Sequence, residues 1–207
     1  MPAQASSFAT FLIIGPTCFF LGILFILLPY DYYVLWSTPL DRAPYFDRLE
    51  AHLRFLHSSP PLISRILHIA IGTGLLGFIT KLYKPSEANM LFDGASLVLY
   101  MCAITVYIAN VVKGLRVVTA GAYGTELVQG EAVAAMGAGP GQEVDVIGRE
   151  DSLRVLAASN TILALVLIGV LVLQAGQWYA LHKEEAETEE METRERAAEK
   201  RKLKKKN

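Results

Sequence analysis

Charge is missing where a soluble protein would need it. Residues 1–30 contain no Asp, Glu, Lys, Arg or His. Cysteine is scarce, with Cys18 and Cys102 each inside an apolar run, so no extracellular disulfide framework exists. No Asn-x-Ser/Thr acceptor occurs, which excludes N-glycosylation as a marker of lumenal loops. There is no GxSxG, HExxH, GxxxxGK[ST] or pair of intramembrane aspartates, so the usual signatures of hydrolases, metalloproteases and nucleotide-binding enzymes are lacking. A basic leader is absent too. MPAQASS carries no Lys or Arg, and the apolar run behind it is too long for a cleaved signal peptide.

What is present is hydrophobicity in blocks. The chain is 53% hydrophobic with a mean hydropathy of +0.36, and its charges lie between and after the apolar runs. A polytopic membrane protein must look this way, because a lipid-exposed charge costs several kcal/mol. The run Phe8–Leu28 (FATFLIIGPTCFFLGILFILL) is long enough, at about 1.5 Å per residue, to cross roughly 30 Å of hydrocarbon. It predicts an uncleaved first span. Gly15-Pro16 predicts a kink or weak point in it, and Cys18 with Gly22 forms a small-xxx-small pair suited to a close helix contact. The exit YDYYVLW has the composition of an interfacial aromatic belt around one acid, Asp31.

Three further spans follow. The second, 61–80, is the shortest in apolar content, and Arg65 must snorkel from its first turns. Its stretch IGTGLLGF offers two overlapping small pairs, Ala70/Gly74 and Thr73/Gly77, which suit packing within the bundle better than a surface kept for a client. A short connection, KLYKPSEANMLFD, makes the second and third spans antiparallel neighbours. The third, 94–112, is uncharged and places Asn110 near its end, where an amide can bond across helices. The fourth, 155–180, is uncharged throughout; Asp151 or Ser152 suits its N-cap, and Gln174 sits near the far interface, within reach of water.

The connecting segments differ in kind. In the first loop, YFDRLEAHLRFLH (Tyr45–His57) puts Phe46, Leu49, Leu53 and Leu56 on one face, predicting a short amphipathic helix on the membrane surface or against the bundle. His52, His57 and His68 lack the spacing and acidic context of a metal site. Loop three, about 113–154, is rich in Gly and Ala and predicts a mobile connection. From Lys183 the composition changes to KEEAETEEMETRERAAEKRKLKKKN, with Glu190/Arg194 and Glu192/Arg196 spaced to pair on a solvated helix. The chain thus divides into a membrane domain, 1–182, and a charged tail, 183–207, helical or disordered. Four spans place both termini on one side. That side holds 11 of the 19 Lys and Arg (Lys81, Lys84 and nine in the tail), against eight on the other (seven in loops one and three, and Arg65 at the start of the second span), which favours cytosolic termini. Lys204 and Lys205, third and fourth from the end, resemble the dilysine signal by which escaped residents return to the endoplasmic reticulum. No nucleic-acid surface, cofactor site or metal site is indicated.

The fold class is therefore all-α, four transmembrane helices with an amphipathic helix in loop one and a charged cytosolic tail. With YDYYVLW, EANMLFDGASLVLYMCAITVYIANVVKGLRVV and EDSLRVLAASNTILALVLIGVLVLQAGQWYA, the chain resembles the fungal endoplasmic-reticulum packaging chaperones for amino-acid permeases over about Phe8–Ala180. The resemblance implies a resident that is not itself a transporter. It would assist new permeases (its membrane clients) and, through its tail, recruit vesicle coat proteins. The candidate retrieval signal is Lys204 and Lys205. The candidate helix-packing or client faces are Cys18, Gly22, Ala70, Thr73, Gly74, Gly77 and Asn110. The competing expectation, a small transporter or channel subunit, would call for intramembrane charges or broken helices lining a path.

Overall fold

A computed structural model describes residues 2–83, 87–123 and 148–206, with side chains over 8–83, 90–123 and 148–197. Its elements are α1 (Pro2–Leu35), α2 (Ala43–His57), α3 (Pro61–Leu82), α4 (Glu87–Val106), a π-helical segment (Tyr107–Val112), α5 (Lys113–Ala120) and α6 (Arg149–Lys206). Four of these stretches are long and apolar enough to cross a membrane, and no strand occurs among the described residues. The glycine-rich centre of loop three, 124–147, lies outside the described residues.

Helices run further than the uncharged runs suggest. A membrane helix does not stop where the hydrocarbon stops, since its backbone bonds extend into the headgroups. Thus α3 includes Lys81, the third membrane helix begins before Asp93, and α6 starts at Arg149 with Glu150 and Asp151 in its first turn, where they complement the helix dipole. Asp151 is accordingly inside the helix and pairs with Arg154 (3.0 Å) instead of capping it. At the other end α6 continues as one helix through the composition change at Lys183. Helix α1 likewise reads through Pro16 and Pro29. Beside Pro16 the buried Thr17 hydroxyl donates to the Ile13 carbonyl at 2.7 Å, adding a bond in the turn that proline weakens.

The four spans close into a ring. Helix α1 packs on α3 and α6, and α4 packs on α6 and α3, so α1 and α4 occupy opposite corners. Ile13, Phe20, Leu24 and Leu27 of α1 meet Phe78 of α3, Tyr100 and Ala103 of α4, and Leu163, Leu167 and Val170 of α6. Large apolar side chains on all four helices point outward, among them Phe25, Ile69, Val98 and Leu165, as a bilayer requires. A second core sits over one end, where Phe46, Leu49 and Leu53 of α2 pack against Val34, Val118, Leu153 and Leu156. The amphipathic helix therefore docks on the bundle, and Leu56, at its end, stays exposed.

Close approach depends on two glycines. A Cβ on Gly74 would overlap the Tyr100 hydroxyl, which is held by donating to the Ile71 carbonyl at 3.1 Å. A Cβ on Gly77 would fall 2.8 Å from Ile13 Cγ1 and 3.0 Å from the Ala9 carbonyl oxygen, inside the α1–α3 contact. At Gly72 nothing lies within 4 Å. Gly77→Val is therefore expected to destabilise the bundle by about 2 kcal/mol through overpacking. Gly72→Ala is expected to be neutral or slightly stabilising. Thermal unfolding in detergent checks this; similar midpoints for the two variants would refute the close α1–α3 contact.

Candidate functional site: a buried polar clasp and its surroundings

Polar side chains meet inside the bundle where α3 ends and α4 begins. Lys81 Nζ lies 3.0 Å from Asp93 Oδ1, 2.7 Å from Gln174 Oε1 and 2.7 Å from Gln177 Oε1. All three ammonium hydrogens are thereby used. Gln177 donates to Asp93 Oδ2 (2.8 Å), while Gln174 donates to Asp93 Oδ1 (3.3 Å) and to the Ser96 hydroxyl (3.1 Å). The Lys81 and Asp93 side chains are only 5% and 6% exposed. Spacing makes this possible: Asp93/Ser96 and Gln174/Gln177 are each three residues apart, so each pair shares one helix face.

The arrangement joins three helices and carries no net charge. A buried ion pair is poor evidence for added stability, because desolvation offsets attraction. A network in which each member finds partners instead fixes which helices meet and at what register. Gln174 is 2% exposed, so it is buried against Asp93 and not wetted as its position near an interface suggests. Neither Lys81 nor Asp93 stood out in the sequence, since each lies one residue outside an uncharged run. A usable signal was the pair of glutamines on one face of an otherwise apolar span, because intramembrane amides need partners.

At the opposite end a second polar pair crosses the bundle. Asn160 Nδ2 donates to Asp31 Oδ2 at 3.1 Å, with Asp31 only 1% exposed. Asp31 thus turns inward from the aromatic belt. Beyond it, Glu50 of α2 receives Arg54 (2.6 Å) and Arg149 (2.5 Å), and Arg149 also reaches Asp47 (2.5 Å). These contacts tie the loop-one helix to the start of α6. Tyr123 packs beside them; burial, reinforced by the Glu50 charge, pushes its hydroxyl up to about 12. His52 stacks on Tyr30 with centroids 4.3 Å apart, and burial lowers its pKa from the usual histidine value.

Between these ends the bundle holds a small apolar cavity of about 20 Å³, bordered by Phe20, Ile71, Tyr100, Tyr107 and Leu167 among others. The small residues singled out by sequence divide into two groups. Gly74 and Gly77 are buried in helix contacts, Ala70 packs on the inner core, and Thr73 is half-buried with its hydroxyl on the Ile69 carbonyl (2.8 Å). Cys18 and Gly22 face outward from α1, with open space around Gly22, and Asn110 faces outward from the π-helical segment. The structure does not bring these three together with the α3 residues. The side chains of Lys204 and Lys205 lie outside the described residues.

A family model described as "ER membrane protein SH3", of the SHR3 chaperones, matches residues 4–207. The chain belongs to this family. Neither the curated proteins nor the solved structures include a match. This chaperone is a multi-pass protein of the endoplasmic-reticulum membrane, and its polar clasp belongs to an all-helical bundle.

Removing one partner of the clasp leaves the other stranded. Lys81→Met is expected to destabilise the chaperone by about 3–5 kcal/mol, because the Asp93 carboxylate would remain buried with amide donors alone. Adding Asp93→Asn is expected to recover at least half of that loss. Thermal unfolding of single and double variants in detergent measures both. Additive losses would show that the two residues do not act as a pair.

Proposed function

We propose that this chaperone serves newly made amino-acid permeases, shielding their transmembrane segments until they fold and promoting their packaging into coated transport vesicles. Membership in a chaperone family of the endoplasmic-reticulum membrane implies membrane clients. The permease assignment rests on the resemblance across the spans. The observation that carries the reading further is the division of small residues. Gly74 and Gly77 serve the bundle itself, while Cys18 and Gly22 are left on the lipid-facing side of α1. Helix association in lipid relies on such small residues and on interhelical hydrogen bonds, typically about 1 kcal/mol each. Contacts that weak suit a client that must be released, and the Asn110 amide offers a polar partner on another outer face.

Both termini lie in the cytosol in this reading, and α6 then carries the acidic and basic tail out from the membrane as a helix. The i, i+4 pairs Lys183/Glu187, Glu190/Arg194 and Glu192/Arg196 support it there. Residues 183–206 would extend roughly 36 Å at 1.5 Å per residue, presenting a solvated surface to coat proteins. Lys204 and Lys205 then serve as the retrieval signal.

The Lys81–Asp93 pair is the feature that favours the alternative, a small transporter or channel subunit, since intramembrane charges often mark a solute path. Two observations weigh against it. The pair's hydrogen-bonding groups are occupied by Gln174 and Gln177, and the half-open pocket beside Phe20, Tyr100 and Leu167 is small and apolar.

In cells lacking the chaperone, amino-acid permeases are expected to accumulate in the endoplasmic reticulum while other surface proteins leave it. A photocrosslinker at Gly22 is expected to capture permease where one at Gly77 does not. Normal arrival of permeases at the plasma membrane would end the permease reading. Lys204→Ser with Lys205→Ser is expected to shift the protein to later compartments by fractionation, and an unchanged distribution would rule out retrieval through those lysines.

A further inference from the structure

A groove of about 300 Å³ lies where α1 leaves the hydrocarbon, lined by Pro29, Tyr30, Tyr33, Tyr45 and Arg48. Its chemistry is specific. Tyr33 of α1 stacks on Tyr45 of α2 with centroids 4.8 Å apart at 20°, forming one aromatic wall. Tyr30 is fixed by His52 on its other side. Arg48 is exposed, and among the described residues no acid stands within ion-pair distance of it. The neighbouring acids of α2, Asp47 and Glu50, are already engaged by Arg149 and Arg54. The depth is informative as well. Pro29 belongs to the uncharged stretch that ends at Tyr30, so the groove opens at the headgroup level, where tyrosines gather and an arginine reaches lipid phosphate.

From this we infer that the groove is a phospholipid site, in which Arg48 holds the headgroup phosphate and the Tyr33–Tyr45 wall flanks it. Charge complementarity selects the occupant: an uncompensated guanidinium, with its planar fork of donors, matches phosphate oxygens. At this depth the bilayer supplies phosphate as part of a lipid.

The test uses purified full-length protein in detergent, with phosphatidylcholine retention read by native mass spectrometry. The wild-type protein is expected to keep a bound phospholipid, and Arg48→Gln to retain it about tenfold less, the loss of one charge-assisted contact. Diacylglycerol, with the same chains but no phosphate, is expected to be retained far more weakly by the wild-type protein, a comparison that needs no variant. Helicity and thermal midpoint of Arg48→Gln are expected to match wild type, because Arg48 is exposed. Equal phospholipid retention by Arg48→Gln, or diacylglycerol held as tightly as phospholipid, would overturn the site. Inorganic phosphate binding as tightly as the lipid would overturn the assignment to a lipid.

Discussion

Hydrocarbon offers no hydrogen bonds, so a charged or amide side chain that this bundle takes below the headgroups is costly unless it finds a partner within the chain. Lys81 illustrates the demand. Its position at the end of α3 would let a surface lysine snorkel to water, yet it turns inward and is met by Asp93, Gln174 and Gln177. Four side chains from three helices must arrive together for any one of them to be tolerated. A helix rotated or slid by one residue would leave an ammonium or a carboxylate uncompensated, a penalty of several kcal/mol against which ordinary packing differences are small. That asymmetry is what selects the observed register from the many ways in which apolar helices can pack.

Packing then fills in what the polar contacts specify. Gly74 and Gly77 allow α3 to lie against Tyr100 and α1, and because lipid tails are as apolar as leucine, the resulting close contact supplies attraction that the hydrophobic effect cannot. At the other end the problem is different, since α2, α5 and the start of α6 meet water. There an ordinary hydrophobic core, centred on Phe46, Leu49 and Leu153, is rimmed by Glu50, Arg149 and Asp47. One molecule thus uses two kinds of cohesion: dispersion and satisfied polar groups within the bilayer, and apolar burial beside it.

The architecture was legible in the sequence because the membrane imposes it. Four long apolar runs, three of them free of charge and one with only Arg65 near its start, gave four spans, and the period of Phe46, Leu49 and Leu53 gave α2 and its buried face. The polar clasp was not legible, and the reason is physical. A charge at the edge of an apolar run has two outcomes, snorkelling to water or pairing inward, and the choice depends on which residues another helix presents at the same height. For Lys81 that residue set comes from positions 93, 174 and 177, whose coincidence is a property of the folded bundle. Pro16 shows the same dependence on neighbours: α1 continues through it within the packed bundle, with the Thr17 hydroxyl on the Ile13 carbonyl in the turn that proline weakens. Asp31, in the aromatic belt by sequence, is buried with Asn160 opposite it, which donates to one of its two carboxylate oxygens.

These features bear on how a helical bundle can assist another membrane protein without joining it permanently. A scaffold whose own helices were held only by small-residue contacts would be of comparable stability to its complexes with client helices, and the two kinds of pairing would exchange. The clasp at one end and the Asp31–Asn160 pair with the docked α2 at the other remove that risk, because opening the bundle would expose charge or amide to lipid. The outer face of α1 has no such commitment: Cys18 and Gly22 offer shape and little else. With the client face placed there, as proposed, an internal register fixed by polar groups beside an outer contact built on small residues gives the difference in binding strength that reversible protection of a folding client requires.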